Sequence, residues 1–579
     1  MAAPDSGDHP VSGIPPGSGI AGSSSPFQCV LASGRHVAPN REDASSDSAL
    51  CSAGPLAPDR AALLERLLEE AESFSGAQPA IVCIVGPDGS GKTDLTHRWI
   101  ARLRDSGRKV LSYSTQPAPT GGFLRDLAEN VCRELSSLLG EGAQPKADFV
   151  RPLGQLWAQV AQGLRQLGLG AVLWLVIDGL EDFESTELVR STAFLRDLAA
   201  GPTYLLITCA PGPMADAVAQ LPTARLVEIP PLRVEGAQEI LRWIWEIYGL
   251  ELPPAVAELL TGKGVPVYEP AWRLPLWVEL AGRYLASEAS RASSQSAGAA
   301  AGKSTQGVER EAERLPPAIE PLCWYILERC EEAFGRGWIQ ACLGLLSLSR
   351  RGLRETDLAA VVPKAARLLE PTARRRNWEA GFWDNLTQLL PGWFTLRPGW
   401  RTWDFSHKLL RQAVVNRYLR DLQVRQRLHL FLAYHLQTLP EEDPLRRYEL
   451  LFHLVKADDR ARAAALLSNL PVGAEKLAVL LPLEHCIVTQ AEEVPNPALS
   501  WLASLLLEPT LKPEQTASLC LFFHQDLIPW IQDQLDLISV RKLLEAARQS
   551  LSELLRLQPD RSDWAEQYQA IGEKLRSLG

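Results

Sequence analysis

The spacing of apolar positions changes character several times along the chain. From Arg60 to Ala71 the leucines of Arg-Ala-Ala-Leu-Leu-Glu-Arg-Leu-Leu-Glu-Glu-Ala recur at helical intervals with charges on the other face, which predicts an amphipathic helix. Strand-length runs follow at Ile81–Val85, Lys109–Ser114, Ala171–Ile177 (closing on Asp178) and Thr203–Thr208. Helical patterns at Thr93–Arg104 and Gly122–Leu139 lie between the first three. Buried strands separated by helices predict an α/β core, a parallel sheet covered on both faces. From about residue 232 the spacing is helical nearly to the end. The exception is Trp393–Leu396 and Trp400–Phe405, which flank Arg-Pro-Gly and predict a hairpin.

These shifts divide the chain. Residues 1–56 are rich in Gly, Pro, Ser and Asp and read as a disordered tail. Residues 57–230 form the α/β core and 231–286 a small helical domain. The Ser/Ala/Gly-rich stretch 287–315 reads as a flexible linker. Residues 316–420 hold short helices and the hairpin. Residues 421–579 are leucine-rich and helical, with no convincing repeat of about 33–47 residues, although the last helices resemble the start of a helical array.

Composition narrows the function. The 579 residues leave room for about three to five domains, and 46% of them are hydrophobic. A net charge of -10 argues against a protein whose main work is coating nucleic acid. Ten cysteines are scattered with no Cys-x-x-Cys pair, the pattern of reduced thiols in a cytoplasmic protein. No apolar run approaches the ~18 residues of a membrane span, and the N-terminus lacks a signal-peptide pattern.

Candidate chemistry sits after the first strand. Gly86, Pro87, Asp88, Gly89, Ser90, Gly91, Lys92 and Thr93 fit the phosphate-loop pattern GxxxxGK[ST], with Asp94 next in line. Glycines let successive N–H groups turn toward phosphate oxygens, and the following helix adds its positive end. Lys92 supplies a charge for the β- and γ-phosphates, and the Thr93 hydroxyl helps hold Mg²⁺. Asp178, ending a buried strand, suits a carboxylate facing that metal. Glu181 or Asp182 could orient or deprotonate a water.

Val-Ile-Asp-Gly-Leu-Glu-Asp at 176–182 resembles the metal-site motif of STAND-class NTPases, the NACHT and NB-ARC proteins, with the last two acids in reversed order. Thr203-Tyr-Leu-Leu-Ile-Thr-Cys-Ala-Pro-Gly212 is similar to the family strand that carries Thr208. Ala210 stands where the family has an arginine, which implies slow hydrolysis. Ile229–Ile240 resembles the start of the small helical domain. Arg273–Leu280 resembles the motif whose proline, here Pro275, packs near the adenine; a helix-initiating proline reads the same way. Phe405–Leu419 looks like the winged-helix segment whose histidine, here His407, touches the β-phosphate of ADP; a histidine capping a helix is the alternative. Arg447–Val455 is similar to a helix of the nephrocystin, telomerase-protein-component and NACHT–WD-repeat branch.

The resemblance implies an NTPase core, a helical domain, a winged helix and C-terminal helices that bind ATP or ADP with Mg²⁺. It implies a switch: ADP holds the winged helix against the core, and ATP favours an open state that assembles with other proteins, including copies of itself, through the C-terminal helices. A steady-turnover AAA-like ATPase and a helical scaffold without catalysis are the alternatives. Arg350, Arg351, Arg354 and Arg374–Arg376 could face DNA, against which the acidic chain favours an intramolecular or solvated role. The tryptophans read as core, and His429, His435 and His453 are assigned no site.

Overall fold

A computed structural model describes residues 54–76, 78–114, 123–139, 153–167, 172–182, 188–262, 271–295, 302–371, 378, 381–397, 400–470, 496–531 and 537–578. The expected tail lies outside them except for Gly54, Pro55 and Leu56. So does the Arg374–Arg376 cluster.

The first elements are α1 (Pro58–Ser73), β1 (Ala80–Val85), α2 (Lys92–Asp105), β2 (Val110–Ser114), α3 (Phe123–Leu138), α4 (Leu153–Gln166), β3 (Leu173–Asp178), α5 (Leu188–Leu198), β4 (Thr203–Cys209), α6 (Pro213–Ala219) and β5 (Ala224–Glu228). The strands pair in parallel in the order β2-β3-β4-β1-β5. Side chains alternate between the faces of a strand, and this decides the layers. Val82, Ile84, Trp174, Val176, Tyr204 and Leu206 pack with α1 and α2. Ile81, Cys83, Leu175, Ile177, Leu205 and Ile207 pack with residues of α3, α4, α5 and α6. The result is the expected three-layer core. Strand β5 was not legible: Ala-Arg-Leu-Val-Glu buries Val227 alone, because β5 is an edge strand held by its ladder to β1.

The helical part begins with α7 (Val234–Ile247), α8 (Pro254–Gly262), α9 (Pro275–Gln295) and α10 (Gly302–Arg314). The stretch expected as a linker is therefore helical where it is described. Its small residues mark close packing: Ser287 and Ala289 of α9 and Ala312 of α10 are buried. The Tyr284 hydroxyl donates to Glu311 Oε1 across the two helices at 2.8 Å.

Next come α11 (Ile319–Phe334), α12 (Arg336–Leu348), α13 (Glu355–Leu369), α14 (Phe382–Leu389), the antiparallel hairpin of β6 (Phe394–Arg397) and β7 (Thr402–Phe405), and α15 (Lys408–Tyr418). Leu353 forms an isolated antiparallel bridge to Trp403 beside the two-stranded hairpin, the layout expected of a winged helix. One apolar core runs from Leu232 through this region to Leu432, so the small helical domain and the winged helix are not separately packed.

The C-terminal helices are α16 (Leu422–Thr438), α17 (Pro444–Lys456), α18 (Arg460–Asn469), α19 (Pro497–Ser504), α20 (Pro513–Phe522), α21 (Leu537–Leu557) and α22 (Ser562–Ser577). They share a second core built on leucine, Phe522, Phe523 and Trp564. Helix α16 spans both cores, with Leu428 and Leu432 in the first and Ala433 and Leu436 in the second. Among the described residues no helix is long and apolar enough to cross a membrane.

Candidate functional site

The loop after β1 is anchored at its start, where the Gly86 N–H donates to Cys209 O at 3.1 Å, and closes on itself, with Ser90 N–H donating to Pro87 O at 3.1 Å. Gly89 (φ 77°) and Gly91 (φ 85°) are in the left-handed region, which favours glycine. A Cβ on Gly86 would lie 2.2 Å from Ile229 Cγ2. Helix α2 starts at Lys92 with Gly91 as its cap. The Lys92 ammonium donates to Gly86 O at 2.7 Å and Pro87 O at 3.3 Å. It also lies 3.7 Å from Glu181 Oε1 and 3.9 Å from Asp88 Oδ1.

Thr93 and Asp178, the two residues expected beside the metal, come together with Thr208 and Ser114, so that three strand ends and one helix start meet. Thr93 Oγ1 donates to Asp178 Oδ2 at 2.8 Å, and Thr208 Oγ1 donates to Asp178 Oδ1 at 2.6 Å. Thr208 Oγ1 in turn accepts from Gly179 N–H at 2.8 Å. The sheet order explains this. Strand β4 lies between β1 and β3, so its last threonine stands beside the carboxylate of its neighbour. Ser114, opposite Asp178 in the ladder, also donates to Oδ2 at 3.3 Å.

Pro275 starts α9, and that helix docks on the loop: Leu276 N–H donates to Gly89 O at 3.2 Å. A Cβ on Gly91 would sit 3.5 Å from Pro275 Cγ, so the proline both initiates a helix and lies against the loop. Asp94 is taken up by Arg98 Nε at 3.0 and 3.1 Å, and burial still pushes its carboxyl pKa up. Glu181 lies in a single 3-10 turn after β3, and the side chain of Asp182 lies outside the described residues.

His407 caps α15, its Nδ1 accepting from Leu409 N–H at 3.1 Å. Burial pulls its pKa down to about 4, against the attraction of Asp88, so the ring is neutral at pH 7. The capping role is therefore filled, and the same ring lies in the field of the phosphate loop.

Three residues of the site escaped the sequence. Lys408 reaches from α15 to Asp88 Oδ1 at 2.8 Å and Glu181 Oε1 at 2.9 Å; its adjacency to His407 was the available signal. Burial pushes the Asp88 carboxyl up, but the Lys408 hydrogen bond and the nearby ammoniums outweigh it and leave the pKa lowered. Arg60, assigned to the charged face of α1, is turned inward. Its guanidinium donates to Ser90 O and to Pro230 O (3.2 Å), and burial lowers its pKa to about 10. An arginine among leucines at helical spacing gives no warning of this. Ser114 is the third.

The donor set fits the expected ligands. The Ser90 hydroxyl is buried with no protein partner among the described residues, as suits a loop that wraps an anion. Thr93 Oγ1 and Asp178 Oδ2 are paired hard oxygens of the kind magnesium takes.

The other polar residues singled out in the sequence make intramolecular contacts where they are described. Arg350 lies over the Phe452 ring and Arg351 over Trp400 and Tyr448. Arg354 pairs with Asp357 and Asp443. His435 binds Asp357, while His429, His453 and Glu449 form a buried chain. Trp383 and Trp393 are buried core.

No family model matches the chain, and no curated protein does. Several solved structures are similar in part. A STAND protein with a tetratricopeptide repeat sensor from Pyrococcus horikoshii has 15% identity and a TM-score of 0.43, over 89% of this chain and 67% of that one. Drosophila ORC bound to DNA has 14% identity and a TM-score of 0.33, over 67% and 95%. AMPPCP-bound DnaA from Aquifex aeolicus has 14% identity and a TM-score of 0.26, over 66% and 95%. Likeness at this level says nothing of ligand or partner here, and the site's chemistry rests on its own residues.

Proposed function

We propose that the protein is a STAND-type switch that binds ATP and ADP, hydrolyses slowly, and controls assembly with other proteins through its C-terminal helices. The observation that carries the reading is the docking of a winged helix directly on a complete phosphate loop, through Lys408 to Asp88 and Glu181. In this reading the loop amides and Lys92 grip the polyphosphate. Thr93 and Asp178 hold Mg²⁺, with Thr208 and Ser114 fixing the Asp178 carboxylate. Magnesium, when bound, neutralises charge on the phosphate oxygens. Glu181 orients the attacking water, Asp182 being its neighbour in the same turn. Pro275 packs by the base and His407 by the β-phosphate. Ala210 removes the positive charge that the resemblance places at that point, which favours slow turnover. The nephrocystin-like branch, a cytoplasmic location and self-assembly in the ATP state belong to the same proposal.

A ligand moves such an equilibrium only by its differential affinity for the two states. The test is equilibrium binding of labelled ATP and ADP with magnesium, to the wild type and to Lys92→Ala, followed by single-turnover hydrolysis. Tight ADP retention, slow hydrolysis and loss of both nucleotides in Lys92→Ala are expected. A wild type that binds no better than Lys92→Ala overturns the reading, and rapid multiple turnover replaces the switch with a steady ATPase.

A further inference from the structure

Resting on that nucleotide-binding reading, we propose that Lys408 is a second cation of the phosphate site, contacting the terminal phosphate of a nucleoside triphosphate and so telling it from a diphosphate. Lys408 is the first residue of α15, in the winged helix. Its ammonium nonetheless meets the loop at Asp88 Oδ1 (2.8 Å) and the β3 end at Glu181 Oε1 (2.9 Å). Lys92 approaches the same two oxygens, at 3.9 and 3.7 Å. Two ammonium groups, one from α2 and one from α15, thus converge on one small volume, each near the same pair of carboxylate oxygens. They are close enough for one phosphate group to bridge them.

The volume is partly shielded. The Lys92, Glu181 and Lys408 side chains are 6%, 11% and 18% exposed. A charge there cannot be left unpaired without cost, so four charges in two signs must be matched. Lys92 of such a loop serves the β- and γ-phosphates. An oxygen of the γ-phosphate therefore lies within reach of Lys408, which exchanges one anionic partner for another and leaves no cation stranded. A diphosphate ends one phosphate short, and Lys408 keeps its carboxylates.

The exchange also acts on Glu181. While Lys408 holds it, the carboxylate is in an ion pair and is a poor base. When Lys408 turns to phosphate, Glu181 is released toward water. Lys408 belongs to the winged helix, so by linkage a γ-phosphate held here favours the docked state, the opposite of the opening by ATP that the resemblance implies.

The experiment is calorimetric titration of a non-hydrolysable ATP analogue and of ADP, both with magnesium. It uses the full chain as wild type, Lys408→Met (which keeps the methylene stem), Lys408→Arg, and Lys408→Met combined with Glu181→Gln. The double variant removes one charge of each sign, so it separates direct contact from a change in net charge. Loss of one charge-assisted hydrogen bond corresponds to about a tenfold change in affinity. The preference for triphosphate over diphosphate is expected to fall about tenfold in Lys408→Met and in the double variant, and to survive in Lys408→Arg. A preference unchanged in either Met variant, with both nucleotides still bound, makes Lys408 a mere strap between α15 and the core and overturns this inference while the switch stands. A wild type that binds neither nucleotide overturns both.

Discussion

Replacing Asp404 with alanine strands Arg411 inside the winged helix, and the cost follows from the surroundings. Asp404 lies in β7, fully buried, and is ion-paired to Arg411 of α15 and Arg397 of β6. It also accepts from the Phe405 N–H at 2.7 Å. Arg411 continues to the end of α12, donating to Leu346 O, Ser347 O and Ser349 O at 3.3, 2.6 and 3.0 Å. Burial pushes the Asp404 carboxyl up against the pull of both guanidiniums, and pulls Arg411 down against the pull of Asp404. Desolvation therefore outweighs attraction, and the pair fixes geometry more than it adds stability. Breaking it by removing one partner costs about 3–5 kcal/mol. Asp404→Leu together with Arg411→Met removes both charges at once and costs well below the sum of the single changes, a coupling of at least about 2 kcal/mol. Denaturant unfolding followed by tryptophan fluorescence reads this, because Trp403 is the neighbour of Asp404 in β7. An Asp404→Ala variant within about 1 kcal/mol of wild type, or strictly additive single changes, refutes the reasoning.

Two further perturbations test the site's construction. His407 has a folded pKa of about 4 against an ordinary value of 6.5, so the unfolded chain binds a proton first and stability falls as pH drops from 6.5 toward 4. Calorimetric melting across that range should show a loss of about 3 kcal/mol that His407→Asn, which keeps a cap acceptor, lacks; equal slopes for the two proteins count against a buried neutral ring. Gly86→Ala should cost about 1–3 kcal/mol through overpacking, since its Cβ would meet Ile229 Cγ2 at 2.2 Å. Adding Ile229→Ala should restore nucleotide affinity to Gly86→Ala; no recovery in binding assays places the fault elsewhere in the loop.

The parts of the fold that were legible in the sequence are those where one residue type has one physical use. The runs Ile81–Val85 and Thr203–Thr208 are apolar on both faces because helices cover both; Gly89 and Gly91 adopt backbone angles that L side chains resist, and Gly86 leaves no room for a Cβ beside Ile229. Arg-Pro-Gly marked the hairpin by its residue types, its proline and glycine lying outside the described residues. What stayed hidden depends on tertiary context. Strand β5 buries one side chain and is made by its neighbour. The small residues at 287 and 289 serve close packing as readily as flexibility. Arg60 and Lys408 are ordinary surface residue types whose partners lie 30 (Arg60 to Ser90) to 320 (Lys408 to Asp88) positions away, a distance no local periodicity encodes. Thr208 was found through resemblance, and its hydrogen bond to Asp178 is explained by the strand order.

Helix α9 has 21 residues, about 30 Å at 1.5 Å each. Its first turn is pinned to the loop through Gly89 O. Further along, Arg283 lies against Gly392, and the Ser287 hydroxyl donates to Gln388 O at 3.3 Å. The fastenings at Leu276 and Ser287 lie about 16 Å apart along one rigid helix, so a shift of Gly89 along its axis bears on the base of the hairpin. The wing and the loop are thus tied by two routes, one through α9 and the hydrogen bonds at its two fastenings and one electrostatic through Lys408.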